Sequence, residues 1–402
     1  MKRLLAALGL SLLIVVAFAV VYLKVLRETA PTIVGSPTTE YAPQQSAPPL
    51  PRADLAWPTY GFDAAGDRAV EQTKLRPPFR RVWTFHGHSL LEFPPVVGYG
   101  KVFITNFNGH LYALSAATGK TMWSYSSGRC GWASPALADG LVVETFIGSS
   151  ECHSQTRDGE IVAFDAGTGQ LRWLRTVGPT ESSPLIVGAT VYLGDWNGKV
   201  WALALRSGRV RWTTQLSGAI KGSLATDGTR LFIGTYAGEM AALDKRGGVL
   251  WSSGGHGAFY SSPAVAYGRV FIGSLDSGVY AFGATTGHLL WSRPTGGYVY
   301  ASPAISGHLV LIGSYSRRFY ALGAATGLVR WTFTANGPIS GSASVIDGLV
   351  YFSTFNMRTY ALDATSGNQA ATWRDGKYSP AVADSEHLYL VGLGRLYELA
   401  PR

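Results

Sequence analysis

Cysteine and charge are both scarce in this chain. Two cysteines, Cys130 and Cys152, occur among 402 residues, and 15% of positions are charged. The cysteines have no paired spacing and the eight histidines are scattered, so no metal site is expected. No Gly-x-Ser-x-Gly nucleophile turn is present. Gly392-Leu393-Gly394 has neither the third glycine nor the following helix of a dinucleotide loop. The sequence therefore points to no catalytic residue. A net charge of +9 is spread over the whole chain without a basic run interleaved with aromatics, which argues against nucleic acid as a partner. Beyond the N-terminus no segment carries apolar residues at helical spacing, which excludes a helical solenoid.

Tryptophan, by contrast, recurs about every forty residues. Trp83, Trp123, Trp173, Trp212, Trp251, Trp291, Trp331 and Trp373 are separated by 40, 50, 39, 39, 40, 40 and 42 positions. Between them lie short β-branched and aromatic runs bounded by Gly, Asn, Asp or Pro, which read as strands joined by tight hairpins. Four strands in about forty residues is one propeller blade. Two further landmarks recur with the same count: a Ser-Pro-like step, as at Ser134-Pro135, opening the innermost strand, and a Tyr-Ala-Leu-like third strand, as at Tyr112-Ala113-Leu114. With strands lettered A to D from the channel outward, the first landmark is a D strand around Trp83, and the last blade, Tyr378 to Leu399, has no D. The expected fold is all-β, an eight-bladed propeller whose N-terminal strand closes the last blade. The tryptophans are expected to pack blade against blade.

The N-terminus reads differently. Lys2-Arg3 precede an apolar run from Leu4 to Leu23, long enough to span a bilayer. Residues 1–27 are expected to be a retained signal-anchor, with cleavage after Ala17-Phe18-Ala19 as the alternative. Residues 28–56, rich in Pro, Ser and Thr, read as a semi-extended linker, and residues 57–402 as the propeller. The expected location is a single-pass membrane protein, its propeller a monomer outside the cytoplasm.

Cys130 lies in the D-to-A connection entering the second blade. Cys152 lies in that blade's B-to-C connection, inside a ten-residue insertion. Both connections emerge on one face, so a disulfide is geometrically reasonable and suits an oxidising compartment. A metal site using Cys130, Cys152 and His153 is the competing reading.

On that same face, one residue per blade sits two before the Ser-Pro serine: Glu92, Trp132, Glu181, Lys221, Tyr260, Tyr300, Ser340 and Lys377. They are expected to ring the mouth of the central funnel, either as a water-filled rim or as a polar-aromatic cup for a small ligand or peptide. The B-to-C turns carry Phe107, Trp196, Tyr236, Tyr315 and Phe355, which either anchor a protein partner or tuck against neighbouring turns.

The pattern Ala116-x-Thr118-Gly119-x-x-x-Trp123, repeated as Thr168-Gly169-x-x-x-Trp173, resembles the tryptophan-docking repeat of quinoprotein-type propellers. The opening Trp57-Pro58-Thr59-Tyr60-Gly61-x-Asp63 is similar to the lead-in of pyrroloquinoline-quinone-like repeat proteins. That family spans periplasmic quinoprotein dehydrogenases and BamB-like lipoproteins of outer-membrane assembly. The resemblance implies either a quinone held with calcium or a scaffold without a cofactor. The chain departs from the dehydrogenases in having no adjacent cysteines, no long insertions outside one blade and no matching calcium set. It departs from the lipoproteins in having no lipobox cysteine after the apolar run. The expected function is a membrane-tethered, non-enzymatic scaffold binding a protein or cell-envelope component. A quinone-dependent oxidoreductase and a small-ligand sensor are the alternatives.

Overall fold

The computed structural model describes residue 16 and residues 32–33, 37–43, 56–71, 73–148, 158–379 and 381–402. Within them the chain forms eight antiparallel four-stranded blades. The first blade shows the logic of all. Its strands are Val96–Gly98, Lys101–Thr105, His110–Ser115 and Thr121–Ser126. The second strand is an almost unbroken apolar run because flanking blades cover both its faces. The outermost strand alternates in exposure because it borders solvent. In the second blade the A-to-B hairpin turns at Asp139-Gly140, both residues at positive φ (49° and 76°), the geometry that two-residue hairpins favour.

Seven tryptophans dock onto the next blade in one way. Trp291 is typical. It pairs with Ala281 of its own blade, donates from Nε1 to the Ala324 carbonyl at 3.1 Å, and lies flat on Gly327. A Cβ on Gly327 would stand 2.7 Å from the indole, and its φ is +66°. The Thr-Gly turn is thus a socket shaped for the ring. Trp373 departs from the expectation. Ala371, not Trp373, occupies the docking register opposite Ala361. Trp373 packs instead on Tyr351 and Phe79. The physical reason is the ring closure. The eighth blade joins Ala381–Ala383, Leu388–Val391 and Arg395–Pro401 to the N-terminal strand Phe79–His86. Its C and D strands come from opposite ends of the chain, so it has no Thr-Gly turn to receive a tryptophan.

The Ser-Pro step also has a structural role. Around the axis, the amide of one serine donates to the hydroxyl of the next: Ser223 to Ser262 at 2.8 Å, Ser262 to Ser302 and Ser302 to Ser342 at 2.9 Å. This belt ties neighbouring inner strands whose edges face the channel.

The channel is not an open water-filled bore, as a plain rim would imply. Residues 57–70 thread through it as a plug. Carbonyls of Trp57, Pro58, Ala64, Ala65, Asp67 and Arg68 accept inner-strand amides from Val97, Leu137, Thr226, Val265, Ile305 and Val345, each at 2.8 Å. The plug therefore satisfies polar edges that six blades would otherwise leave unpaired. Arg68, 3% exposed, donates to the carbonyls of Gly66 and Pro303 and lies over the Tyr60 ring.

The region read as a linker is in part docked. Thr32–Ile33 pairs with the outer strand of the fifth blade, and Ala42 donates to the Tyr267 carbonyl. Tyr41 stacks on Tyr267 and bonds His308 at 2.8 Å. Tyr267 and His308 lie in A-to-B turns, and Glu40 accepts from Thr286 in a C-to-D turn, so residues 37–43 lie on the face opposite the funnel mouth while Thr32–Ile33 runs along the outer edge. No helix among the described residues is long and apolar enough to cross a membrane. The proposed signal-anchor, residues 1–27, lies outside the described residues except for Val16.

Candidate functional site

Five of the eight funnel residues, Glu92, Glu181, Lys221, Tyr300 and Ser340, are positioned by a pin within their own blade. The amide of the B-to-C aromatic donates to a carbonyl two residues before the funnel position: Phe107 to Leu90, Trp196 to Pro179, Tyr236 to Ala219, Tyr315 to Tyr298 and Phe355 to Pro338, at 2.7–2.9 Å. The two aromatic series are thereby interleaved into one arc. Phe107 meets Trp132 at 5.8 Å, and Trp132 meets Trp196 at 6.3 Å. The Lys221 ammonium then sits 4.0 Å from the Trp196 ring centre and within 6 Å of Tyr236 and Tyr260. Onward, Tyr260–Tyr300, Tyr300–Tyr315, Tyr315–Phe355 and Phe355–Tyr378 pack at 5.0–5.5 Å. Lys377 covers Phe355 and Tyr378.

Sequence reasoning missed four members. Tyr378 follows Lys377, and Tyr298, 54% exposed, precedes Tyr300 by two. Phe93 lies just after Glu92 on the same connection. Tyr60 rises from the plug, 6.1 Å from Phe93, with its hydroxyl 2.7 Å from Ser342 Oγ. A Tyr-x-Tyr or Lys-Tyr pair beside the repeat landmark is the signal that would have found the first two. Nothing in the repeat marks Tyr60.

Because the plug closes the channel, the mouth is a blind cup. A cavity of about 280 Å³ lies on the side of the fifth to eighth blades, walled by Tyr260, Tyr300, Tyr315, Phe355 and Tyr378, with Ser340 and Glu92 at its edge and Tyr60 at its floor. Phe107, Trp132, Trp196, Lys221 and Tyr236 continue the arc outside this cavity.

The two carboxylates differ sharply. Glu181 is 4% exposed and saturated: it accepts from Lys221 Nζ at 2.9 Å, Trp196 Nε1 at 3.1 Å and the Tyr260 hydroxyl at 2.9 Å. It is a buried structural anchor and not a rim group. Burial and the neighbouring Glu181 push the Tyr260 phenol well above its ordinary range. The Glu92 carboxylate accepts no hydrogen bond among the described residues, although its backbone carbonyl accepts from the Ser379 hydroxyl at 2.7 Å. Burial first, then the Glu181 charge, raise the carboxyl to about 7, with Lys377 opposing.

Cys130 is buried at 1% exposure. It bridges Ile147 through reciprocal amide–carbonyl bonds of 3.0 Å, which places the D-to-A connection against the end of the B strand, on the expected face. Cys152 and His153 lie outside the described residues.

The family model described as "Outer membrane protein assembly factor BamB" matches residues 62–223 and 218–399. A protein of that name from Burkholderia pseudomallei is 30% identical over 118 residues, 29% of this chain and 31% of that protein. The one from Shewanella oneidensis is 25% identical over 285 residues, 58% of this chain and 72% of that protein. The chain thus spans about a third of the first relative and nearly three quarters of the second. Among solved structures, BamB from Moraxella catarrhalis superposes with a TM-score of 0.65 at 17% identity, covering 80% of this chain and 99% of that one. A europium-containing methanol dehydrogenase gives 0.73 at 13% identity, covering 87% and 99%. At these identities the solved structures show the fold alone.

Proposed function

Because this chain belongs to the family of the outer membrane protein assembly factor BamB, we propose that it is a non-enzymatic scaffold that binds a protein partner in the cell envelope through its aromatic face. The observation that carries the reading is the continuous arc from Phe107 to Tyr378 on one face. Residues 37–43 of the N-terminal segment dock on the opposite face. Aromatic side chains pinned to rigid turns are low-entropy anchors for a partner surface. Tethering through residues 1–27 would leave this face pointing away from the membrane, and pairing of Cys130 with Cys152 would brace the insertion beside it.

The donors at the cup do not suit a calcium-held quinone. Calcium takes 6–8 oxygens, with carboxylates prominent. Here Glu181 is already engaged by three donors, which leaves Glu92 as the one carboxylate at the cup without a donor. Among the described residues no group of three His, Cys, Asp or Glu converges to hold a metal.

A photocrosslinking residue at Tyr298, in intact cells, tests the scaffold reading. It is expected to yield adducts with a discrete envelope protein, and these are expected to disappear when Trp132 and Tyr300 are both changed to Ala. Adducts formed only from the opposite face, or dye reduction by the purified protein given pyrroloquinoline quinone and calcium, would overturn it.

A further inference from the structure

The cup's size and lining say more about what enters it. Pockets for drug-sized ligands run from roughly 300 to 1,000 Å³, so a cavity of about 280 Å³ suits one side chain better than a cofactor. Its walls are aromatic faces from Tyr260, Tyr300, Tyr315, Phe355 and Tyr378, and Glu92 stands at its edge. Aromatic walls with one carboxylate attract a cation: the ring quadrupoles and the carboxylate act in the same direction. The surrounding charges cancel only part of that attraction, since Glu92 stays raised to about 7 despite the opposing Lys377. Lys221 is committed to Glu181 by a 2.9 Å ion pair. Lys377, the other nearby cation, lies over Phe355 and Tyr378 and touches Glu92 through no hydrogen bond. Both lysines show the same chemistry at the rim, an ammonium held against ring faces.

We propose that this cup is the socket for a single basic side chain, lysine or arginine, presented by the protein partner. The proposal rests on the scaffold reading for the identity of the partner, while the socket chemistry is a property of the cup itself. The charged and titratable groups facing Glu92 are Glu181, Lys377, Tyr260 and Tyr315. A cation entering the cup favours the ionised form of Glu92, so binding expels its proton, and affinity rises as pH increases through neutrality.

The test is a calorimetric titration of the full chain with two capped amino acids, N-acetyl-lysine amide and its uncharged counterpart N-acetyl-norleucine amide. At pH 8 the lysine derivative is expected to bind about tenfold more tightly. At pH 7, titrations in buffers of different ionisation enthalpy should show net proton release on binding of the lysine derivative. Glu92→Gln should remove both the discrimination and the proton release. Tyr315→Leu should weaken binding while Tyr315→Phe keeps it, so the outcome does not depend on one variant folding. Equal binding of the norleucine derivative, or a Glu92→Gln protein that still discriminates, overturns the socket. So does binding of free butylammonium that a lysine-bearing peptide cannot displace, which would assign the cup to small amines. If lysine is bound as expected but the Trp132/Tyr300 variant still crosslinks to the same envelope protein, the socket stands and the scaffold reading falls. If crosslinking depends on the face but lysine is not discriminated, only the socket falls.

Discussion

Lys221 Nζ lies 2.9 Å from Glu181 Oε1 and 4.0 Å from the centre of the Trp196 ring. One ammonium thus neutralises a buried carboxylate and holds a neighbouring blade's indole, joining the third and fourth blades at the funnel mouth. Removing one member of a buried pair leaves the other charge without compensation. Lys221→Met is expected to destabilise the protein by about 2–4 kcal/mol, below the fully buried figure because the lysine is partly exposed. Adding Glu181→Gln should recover most of that loss. Urea unfolding of the single and double variants checks this, and a neutral Lys221→Met would show that the pair contributes nothing.

The docking tryptophans and Trp373 should separate cleanly. Trp291 is 1% exposed and fills the Gly327 socket, so Trp291→Ala is expected to cost roughly 3–5 kcal/mol. Trp373 is half-buried against Tyr351 and Phe79, and Trp373→Ala should cost about half as much. Ala371→Trp should bring no gain, because the eighth blade offers no Thr-Gly turn. Thermal unfolding of the three variants decides; a stabilising Ala371→Trp would mean that the closure is misread.

The repeat was legible because each landmark carries a local constraint that recurs. Gly119, Gly169 and Gly327 must pass under an indole, and the Ser-Pro serines must reach the next blade. Where the chain satisfies a constraint once, sequence spacing is silent. Trp373 kept the period but lost the register, since a shift of two residues keeps the side chain on the same face of the strand. The plug was invisible because its contacts are carbonyls, which any residue supplies. The funnel residues were found by position, but their union with the B-to-C aromatics was not. That union depends on pins such as Trp196 to Pro179, which are again backbone bonds. Glu181 read as a rim charge because only the folded ring brings Trp196, Lys221 and Tyr260 to it.

Glu144 predicts a pH dependence. Its carboxyl is fully buried between the first two blades, accepting from the Thr105 hydroxyl and, at 2.8 Å, from the Thr145 amide. Burial outweighs those donors and raises it from 4.5 to about 8. A raised carboxyl means the folded state binds the proton more tightly than the unfolded chain. Stability is therefore highest below about pH 4.5 for this group and declines as pH rises to about 8, by on the order of a few kcal/mol. Glu144→Gln should flatten that slope and make the protein more stable than the parent at pH 8. Chemical denaturation at pH 5.5 and 8 measures it, and a variant with an undiminished slope would place the titration elsewhere.

The insertion of the second blade should be locked by both charge and covalency. Arg129 Nη1 donates to the Gly148 carbonyl at 2.9 Å, and its guanidinium pairs with Asp158 at 3.0 Å and Glu160 at 2.9 Å, so both ends of the insertion are held by one side chain. Cys130 follows it directly and is buried. Cys152 is the chain's other cysteine, so non-reducing peptide mapping is expected to recover Cys130 and Cys152 in one linked pair. Closing a loop of this length contributes roughly 3 kcal/mol in the chain-entropy picture. Reduction should therefore lower the unfolding midpoint, and Cys130→Ala should lower it further by emptying a buried site. Free thiols at both positions, in protein exported through an oxidising compartment, would show that the two cysteines do not pair.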